Sequence, residues 1–474
     1  MKRTVLLKKI FLAASTALFC SMPLCAQFNA LKVPDSSAIR KTVLSSWLKA
    51  PLNEIKYKAV ENRTNESGSQ FQISLEQSQN EFNVVIAPKV VIDVEQIKEN
   101  KKHIVSMEIY PSGAAGSWIL SRDLKTGKPS RIRCFFNNDS EVYIQLRPDG
   151  TKTLADLIVF NSFAARSVPI GIPFENLYTA SFSQLYQWTK DRLPWKKVTV
   201  TTGLYREKLQ MVAVIRENLK NINYAQYACY DENGKLSSII TGDAFEGQTY
   251  ILDDYGNLTG EETNVKDDGR LTLSSPGFVK WIVDGLIEPL TGSGTKINEL
   301  LENTYSFSPT GKAGVLSQSY NLTLTLDWCR NLAAKAMSAR SSRDFSYKTG
   351  GVDVRVEPFA CEIVNSKIVS APGYLTGSGY EIKSIKSLLY VLGVTEPGYF
   401  YLAAIKRTSS VKPDEMAFND CAALFPYFDD KGTFGCIVFD NGTELTLETF
   451  IAKYASSFAH LERIKASDYF FPKN

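Results

Sequence analysis

Histidine is almost missing from this chain: its 474 residues include two, His103 and His460. So few imidazoles exclude metal centres built on several histidines. Beyond the first 26 residues the cysteines are Cys134, Cys229, Cys329, Cys361, Cys421 and Cys436, and no two stand two to four apart as a structural zinc site requires. A phosphate-cradling loop is absent too, since Gly292-Ser293-Gly294-Thr295-Lys296 lacks a preceding strand and the second half of the motif. Ser117 and Ser167 sit in no nucleophile-elbow pattern. No cofactor is therefore expected.

Charge of one sign is also lacking. The chain has 54 Lys plus Arg against 50 Asp plus Glu, but Lys2, Arg3, Lys8 and Lys9 open a leader with no acidic residue. Without that leader the count is 50 against 50, which leaves no positive surplus to meet phosphates and no case for nucleic acid. After the basic residues come an apolar Ile10–Phe19 and a small residue, Ala26, at a cleavage point. This reads as a signal peptide over residues 1–26, too short to cross a bilayer. Cys20 and Cys25 lack the small residues that precede an acylated cysteine. The expectation is a chain exported to the periplasm or the medium, with no integral membrane segment left after signal removal. Its partner would be an envelope or extracellular protein, a peptide or a glycan. Six cysteines in an exported chain permit disulfides, and buried free thiols fit the wide spacing equally well.

About 448 residues exceed one ordinary core, so two or three domains are expected. The fold class read from the pattern is α+β. A β-rich region with an N-terminal helix spans 27–175, a helix plus β-hairpin region 176–270, and a mixed α+β domain 271–474. A helix through Ile39, Val43, Leu44, Trp47 and Leu48 stops at Pro51. The segments EFNVVIAPKVVIDV, HIVSMEIY, RIRCFF, EVYIQL and TLADLIVF then read as strands between turn residues. Phe174, Tyr178, Phe182, Tyr186, Trp188 and Trp195 crowd one segment, read first as core and second as a sugar-stacking platform. Asp231–Leu236 and Asp253–Leu258 share an Asp-x-x-Gly-x-Leu pattern and read as two hairpins.

Later come helices around FVKWIVDGLIEPL, INELLEN and Leu332–Met337, a helix in KSIKSLLYVLGV and a buried strand YFYLAAIKR. Cys421–Tyr454 reads as two strands about Asp429-Asp430-Lys431-Gly432, a turn at Asn441-Gly442, and a helix from about Leu445 capped by Thr446. HLERIKA reads as an edge strand. With a two-residue turn at Asp430-Lys431, Cys421 faces Asp440 on one side of the sheet. Cys436 then shares that face about 13 Å from Cys421, at about 3.3 Å per residue, too far to bridge.

A helix with a cysteine near its start, then strands, a hairpin and a helix, resembles the papain-like superfamily. The nearest likeness is to bacteriocin-processing cysteine peptidases and transglutaminase-like proteins. The resemblance implies Cys329 as nucleophile, two residues after a capping Asp327, and Asp440 as the acid that orients a histidine. The family's histidine position is held here by Cys421. His460 stands at the wrong point in the order, and His103 in an exposed Lys-Lys-His stretch. The sequence therefore implies either a binding or structural protein on a papain-like layout, or a cysteine hydrolase or acyltransferase acting on peptide or peptidoglycan amides.

Overall fold

The computed structural model describes residues 33–473, apart from 99–100, 241, 246–247, 253–257, 264–268, 305–322 and 409–415. Helix α1 (Ser37–Thr42) runs into a wide turn at Leu44–Leu48, and α2 (Leu52–Ile55) follows Pro51. The chain then builds strands β1 (Glu61–Thr64), β2 (Gln70–Gln77) and β3 (Glu81–Pro88). Lys89 ends the long strand expected there. Beyond it β4 (Val90–Lys98) and β5 (Lys101–Ile109) pair only with each other, as a ribbon. The meander resumes with β6 (Trp118–Asp123), β7 (Pro129–Phe135), β8 (Val142–Asp149), β9 (Lys152–Val159) and β10 (Ser162–Pro169).

Alternation explains this first sheet. In β8, Val142, Ile144 and Leu146 are buried while Tyr143, Gln145 and Arg147 are partly wet. The buried face packs on Trp47, on the Phe174–Tyr178 turn, on α3 (Phe182–Thr189) and on Trp195. The aromatic segment is thus core. Trp195 lies 5.2 Å from the Phe136 ring and donates to Thr189 Oγ1 at 3.1 Å. A fully buried cation enters: Arg40 of α1 stacks 3.8 Å from the Trp118 ring centroid and donates to the carbonyls of Tyr178 (3.0 Å) and Ala180 (2.6 Å).

Residues 176–270 divide between two cores. Residues to Tyr205 join the first, whereas α4 (Arg206–Asn218) places Met211, Val212 and Ile215 in the second. Short strands follow: β11 (Ile222–Tyr224), β12 (Ala228–Tyr230), β13 (Leu236–Ser238), β14 (Gln248–Leu252), β15 (Leu258–Thr263) and β16 (Leu271–Leu273). Both echoed patterns link antiparallel pairs, β12–β13 and β14–β15. Asp231 shows why: its carboxylate accepts from the amides of Asn233 and Lys235. The second echo's turn, 253–257, lies outside the described residues.

The C-terminal half contains α5 (Ser275–Thr291), α6 (Ile297–Leu300), α7 (Leu324–Ser341) and α8 (Tyr347–Gly350). Then come β17 (Cys361–Val364), β18 (Lys367–Ser370), β19 (Tyr380–Glu381) and α9 (Ile385–Thr395). It closes with β20 (Tyr399–Thr408), β21 (Met416–Phe428), β22 (Phe434–Asp440), β23 (Thr443–Thr446), α10 (Leu447–Lys453) and β24 (Phe458–Lys465). β17 and β18 leave this half and extend the first sheet, Cys361 pairing with Phe163 of β10. The second sheet runs β19-β24-β20-β21-β22-β23, all antiparallel. α5 and α7 cover one face and α9 and α10 the other, so the mixed α+β reading of the C-terminal region holds. Among the described residues, no helix is long and apolar enough to cross a membrane.

Two expectations change here. HLERIKA forms β24, which is no edge: it pairs along its length with β20 and at one end with β19. In the β21–β22 hairpin, Phe428 pairs with Phe434 across a loop from Asp429 to Thr433. The Asp429 carboxylate accepts from the amides of Lys431 and Thr433, which holds one residue more than a tight turn. Ala422, not Cys421, therefore faces Asp440. A one-residue slip turns every side chain to the other face. Cys421 points to α5 and α7, and Asp440 to the α10 side. The same slip puts Cys421 and Cys436 on opposite faces, and both remain unbridged.

Candidate functional site

Helix α7 begins at Leu324 with Thr323 as its cap residue. Asp327 is therefore no cap. Its carboxylate accepts from the Thr304 amide (2.8 Å) and hydroxyl (2.7 Å) and from the Thr323 hydroxyl (2.8 Å). Cys329 is the sixth helical residue, beyond the first turn where the helix dipole stabilises a thiolate. It has no exposed surface. Burial pushes its thiol well above the ordinary range, and the Cys421 thiol pushes the same way. Asp440 lies across the sheet, held by Lys453 Nζ at 2.6 Å and Tyr454 Oη at 3.1 Å. The structure does not bring Cys329 and Asp440 together.

It builds a different cluster instead. β24 alternates, placing His460, Glu462 and Ile464 toward α7 and Ala459 and Leu461 toward α9. His460 Nδ1 lies 2.6 Å from Glu462 Oε1, and its Nε2 lies 2.9 Å from Tyr374 Oη and 3.3 Å from Arg330 Nη2. Arg330, next to Cys329 on α7, donates to both oxygens of Asp353 (3.1 and 3.0 Å). Arg355 reaches Asp353 from the surface at 2.6 Å. Because a guanidinium only donates, the network assigns Nε2 as acceptor and leaves Nδ1–H for Glu462. Burial first, then the Arg330 charge, lower the imidazole to about 3, so it is neutral. Burial, with Asp353 adding to it, holds the Glu462 carboxyl well above its usual range, and its Oε2 has no hydrogen-bond partner.

Asp353, His460 and Glu462 are the one trio of such groups close enough to suggest a metal among the described residues. Their geometry does not suit one. Glu462 sits on the Nδ1 side of the ring and Asp353 on the Nε2 side, so the donors flank the imidazole rather than converge. The Arg330 guanidinium already neutralises Asp353.

A second feature is open to solvent. A groove of about 470 Å³ lies where α4, α9 and the β21–β23 strands meet. Tyr427 lies across its cross-strand partner Gly435, where a Cβ would meet the ring at 2.6 Å, so the bare backbone lets the aromatic lie flat. Phe434, Ile437 and Leu445 add apolar lining. The rim is charged but balanced: Arg216 grips Glu444 with two bonds, and Lys386 pairs with Glu448 at 3.0 Å. The volume falls in the usual range for small-ligand sites.

A family model described as a domain of unknown function (DUF8515) matches residues 29–197. That span holds β1–β10 and the helices on their buried face, and stops before the second sheet. No curated protein and no solved structure matches the chain.

Sequence reasoning placed His460 outside any site and overlooked Arg330, Asp353, Tyr374 and Glu462. The signal was His-x-Glu inside an alternating strand, which puts both side chains on one face. An edge reading left that face wet.

Proposed function

We propose that this is an exported bacterial protein of binding or structural type, working in the envelope or outside the cell. The observation that carries the reading is how His460 is used. Its two nitrogens are committed to Glu462, Tyr374 and Arg330, and Cys329 is enclosed with a protonated thiol, so neither is offered to a substrate. The leader at residues 1–26 supports export. The groove over Tyr427 and Phe434 is the ligand site this reading favours, since flat apolar rings between charge pairs suit a sugar face or a peptide side chain.

Two measurements test it. Iodoacetamide labelling of the native protein, followed between about pH 4 and 9, should leave Cys329 slow at every pH. Fast labelling of Cys329 well below the free-thiol range would move the cysteine-hydrolase reading, with Cys329 as nucleophile, ahead. Titration with peptidoglycan fragments, oligosaccharides and short peptides should give heat that Tyr427→Ala abolishes. Binding unaffected by that change would remove the groove from the proposal.

A further inference from the structure

One edge of the second sheet is left incomplete. β23 covers β22 only from Asp440 to Ile437, which pairs with Thr446. Thr446 then caps α10, its hydroxyl accepting from the Thr449 amide at 3.1 Å, and the chain leaves the line of the sheet. β22 continues through Cys436, Gly435 and Phe434, paired with β21 on one side. Among the described residues, no strand pairs with these three on the other side. The groove over Tyr427 lies along them, and Thr446, Leu447 and Glu448 also line it.

Register fixes what this open edge offers. The two-residue turn at Asn441-Gly442 makes Asp440 and Thr443 a hydrogen-bonded pair. Alternate residues of β22 (Asp440, Val438, Cys436 and Phe434) therefore turn their main-chain amides and carbonyls to the β23 side. The Phe434 amide agrees: it finds Asp139, outside the sheet, at 3.2 Å. Gly435 sits between Cys436 and Phe434, its bare backbone under the Tyr427 ring. A glycan carries no row of main-chain amides to match such an edge, whereas an extended polypeptide does. Charge narrows the choice further, since Arg216 with Glu444 and Lys386 with Glu448 close the rim's charges on one another.

We infer that the groove takes an extended, uncharged peptide segment, which continues the line of β23 along Phe434, Gly435 and Cys436 as an added strand. The inference rests on the reading of this groove as the ligand site. The open edge is roughly 10 Å long at about 3.3 Å per residue. Cross-strand neighbours share a face, so the ligand residue opposite Gly435 points to the Tyr427 side, and its two neighbours to the side of Phe434 and Leu445. A large apolar side chain suits the central place, where Gly435 supplies none.

The test titrates the full chain with capped peptides, acetyl-Ser-Thr-Val-X-Val-Thr-Ser-amide, in which X is Phe, Leu, Glu or Lys. The Phe and Leu peptides should bind about tenfold or more tighter than the Glu and Lys peptides. N-methylation along the best binder should weaken it about tenfold at alternate residues only, because only those amides face β22. Hydrogen exchange at the Cys436 amide should slow when the peptide binds. These readings use the unaltered protein, so they stand whether or not a variant folds. Peptide binding that ignores N-methylation, or that leaves Cys436 exchange unchanged, overturns strand addition. Oligosaccharide binding that Tyr427→Ala abolishes, with every peptide silent, keeps the groove as the ligand site and defeats the peptide. No binding of either, or peptide binding indifferent to Tyr427→Ala, defeats both.

Discussion

Arg40 beside the first sheet and Arg330 beside the second are both buried cations, and they are satisfied in different ways. In the first, the fully buried cation Arg40 gives its hydrogens to main-chain carbonyls at Tyr178 and Ala180 and to the Ser36 hydroxyl. Asp35, at 3.6 Å, is its half-wet partner. The core that Arg40 enters includes Trp118, Leu120 and Ile132. In the second, Arg330, Asp353, His460 and Glu462 meet side chain to side chain over a face otherwise lined by Leu402, Ala404 and Ala423. Ala404 pairs with both Cys421 and His460, so thiol and imidazole occupy one row across three strands. A guanidinium on carbonyls behaves as a structural pin. A network of ionisable groups makes stability depend on pH and on every member being present.

Removing one member should therefore give the largest effect. Arg330→Ala leaves the partly buried Asp353 with only the exposed Arg355 and takes a charged donor from His460, and a loss of about 2–3 kcal/mol is expected in urea unfolding. A loss near 1 kcal/mol would mean that the second sheet's cluster is no unit and the contrast with Arg40 is false. Next comes acid. His460 is held neutral in the fold, at about 3 against an ordinary value of 6.5. A base with a lowered folded value gives stability that is present above about pH 6.5 and is lost as pH falls toward 3, because the unfolded chain takes the proton first. The raised Glu462 and Asp139 carboxyls act the other way over the same range, so the His460 contribution is the difference between two proteins: in thermal unfolding from pH 7 to 4 the parent should lose stability relative to His460→Gln. An unchanged slope in the variant would place the acid sensitivity elsewhere.

The same contrast explains what could be read from sequence. The first sheet was legible because its strands are local: alternation in EVYIQL marks both strand and face, whereas TLADLIVF, buried on both faces from Ala155 to Val159, is marked as a strand by its apolar run between turns. At the second turn of the C-terminal hairpins, Asn441 (φ 53°) and Gly442 (φ 72°) turn the chain in two residues between Asp440 and Thr443, as Asn-Gly predicts. The Thr446 cap also stands: its hydroxyl accepts from Thr449 N at 3.1 Å. At the first turn, the Asp429 side chain adds a residue that no spacing rule reveals, and the register moved by one. The candidate site suffered for another reason. It is made where the last strand inserts beside β20 and where Arg330 arrives from a helix more than a hundred residues earlier. Local pattern carries no trace of such long-range pairing.

Between the sheets the expected effect is smaller and has the opposite sign. Asp139 is buried against the β21–β22 loop and accepts from the Phe434 amide at 3.2 Å. Burial raises its carboxyl to about 6 from 3.8. An acid with a raised folded value favours the fold while protonated, and that advantage fades as pH rises from about 4 through 6. Asp139→Asn should stabilise the protein at pH 7 by about 1–2 kcal/mol and match the parent near pH 4. A variant less stable at pH 7 would show that the charged carboxylate is what joins the sheets there.

The smallest effect is expected from the β4–β5 ribbon. It shares no rung with either sheet, although it leaves the first directly from β3. Pairing puts Val90, Ile92, Val94, Val105, Met107 and Ile109 on one face, and Ile92, Val105 and Met107 are exposed. An isolated two-stranded ribbon gains little stability in water, so neither core should depend on it. Val91 pairs with Glu108, so replacing residues 92–107 by Asn-Gly leaves that pair flanking a two-residue turn. Both sheets should then unfold within about 0.5 kcal/mol of the parent. A clear loss would mean that the exposed face lends stability to the first sheet, and the ribbon would then count as part of it.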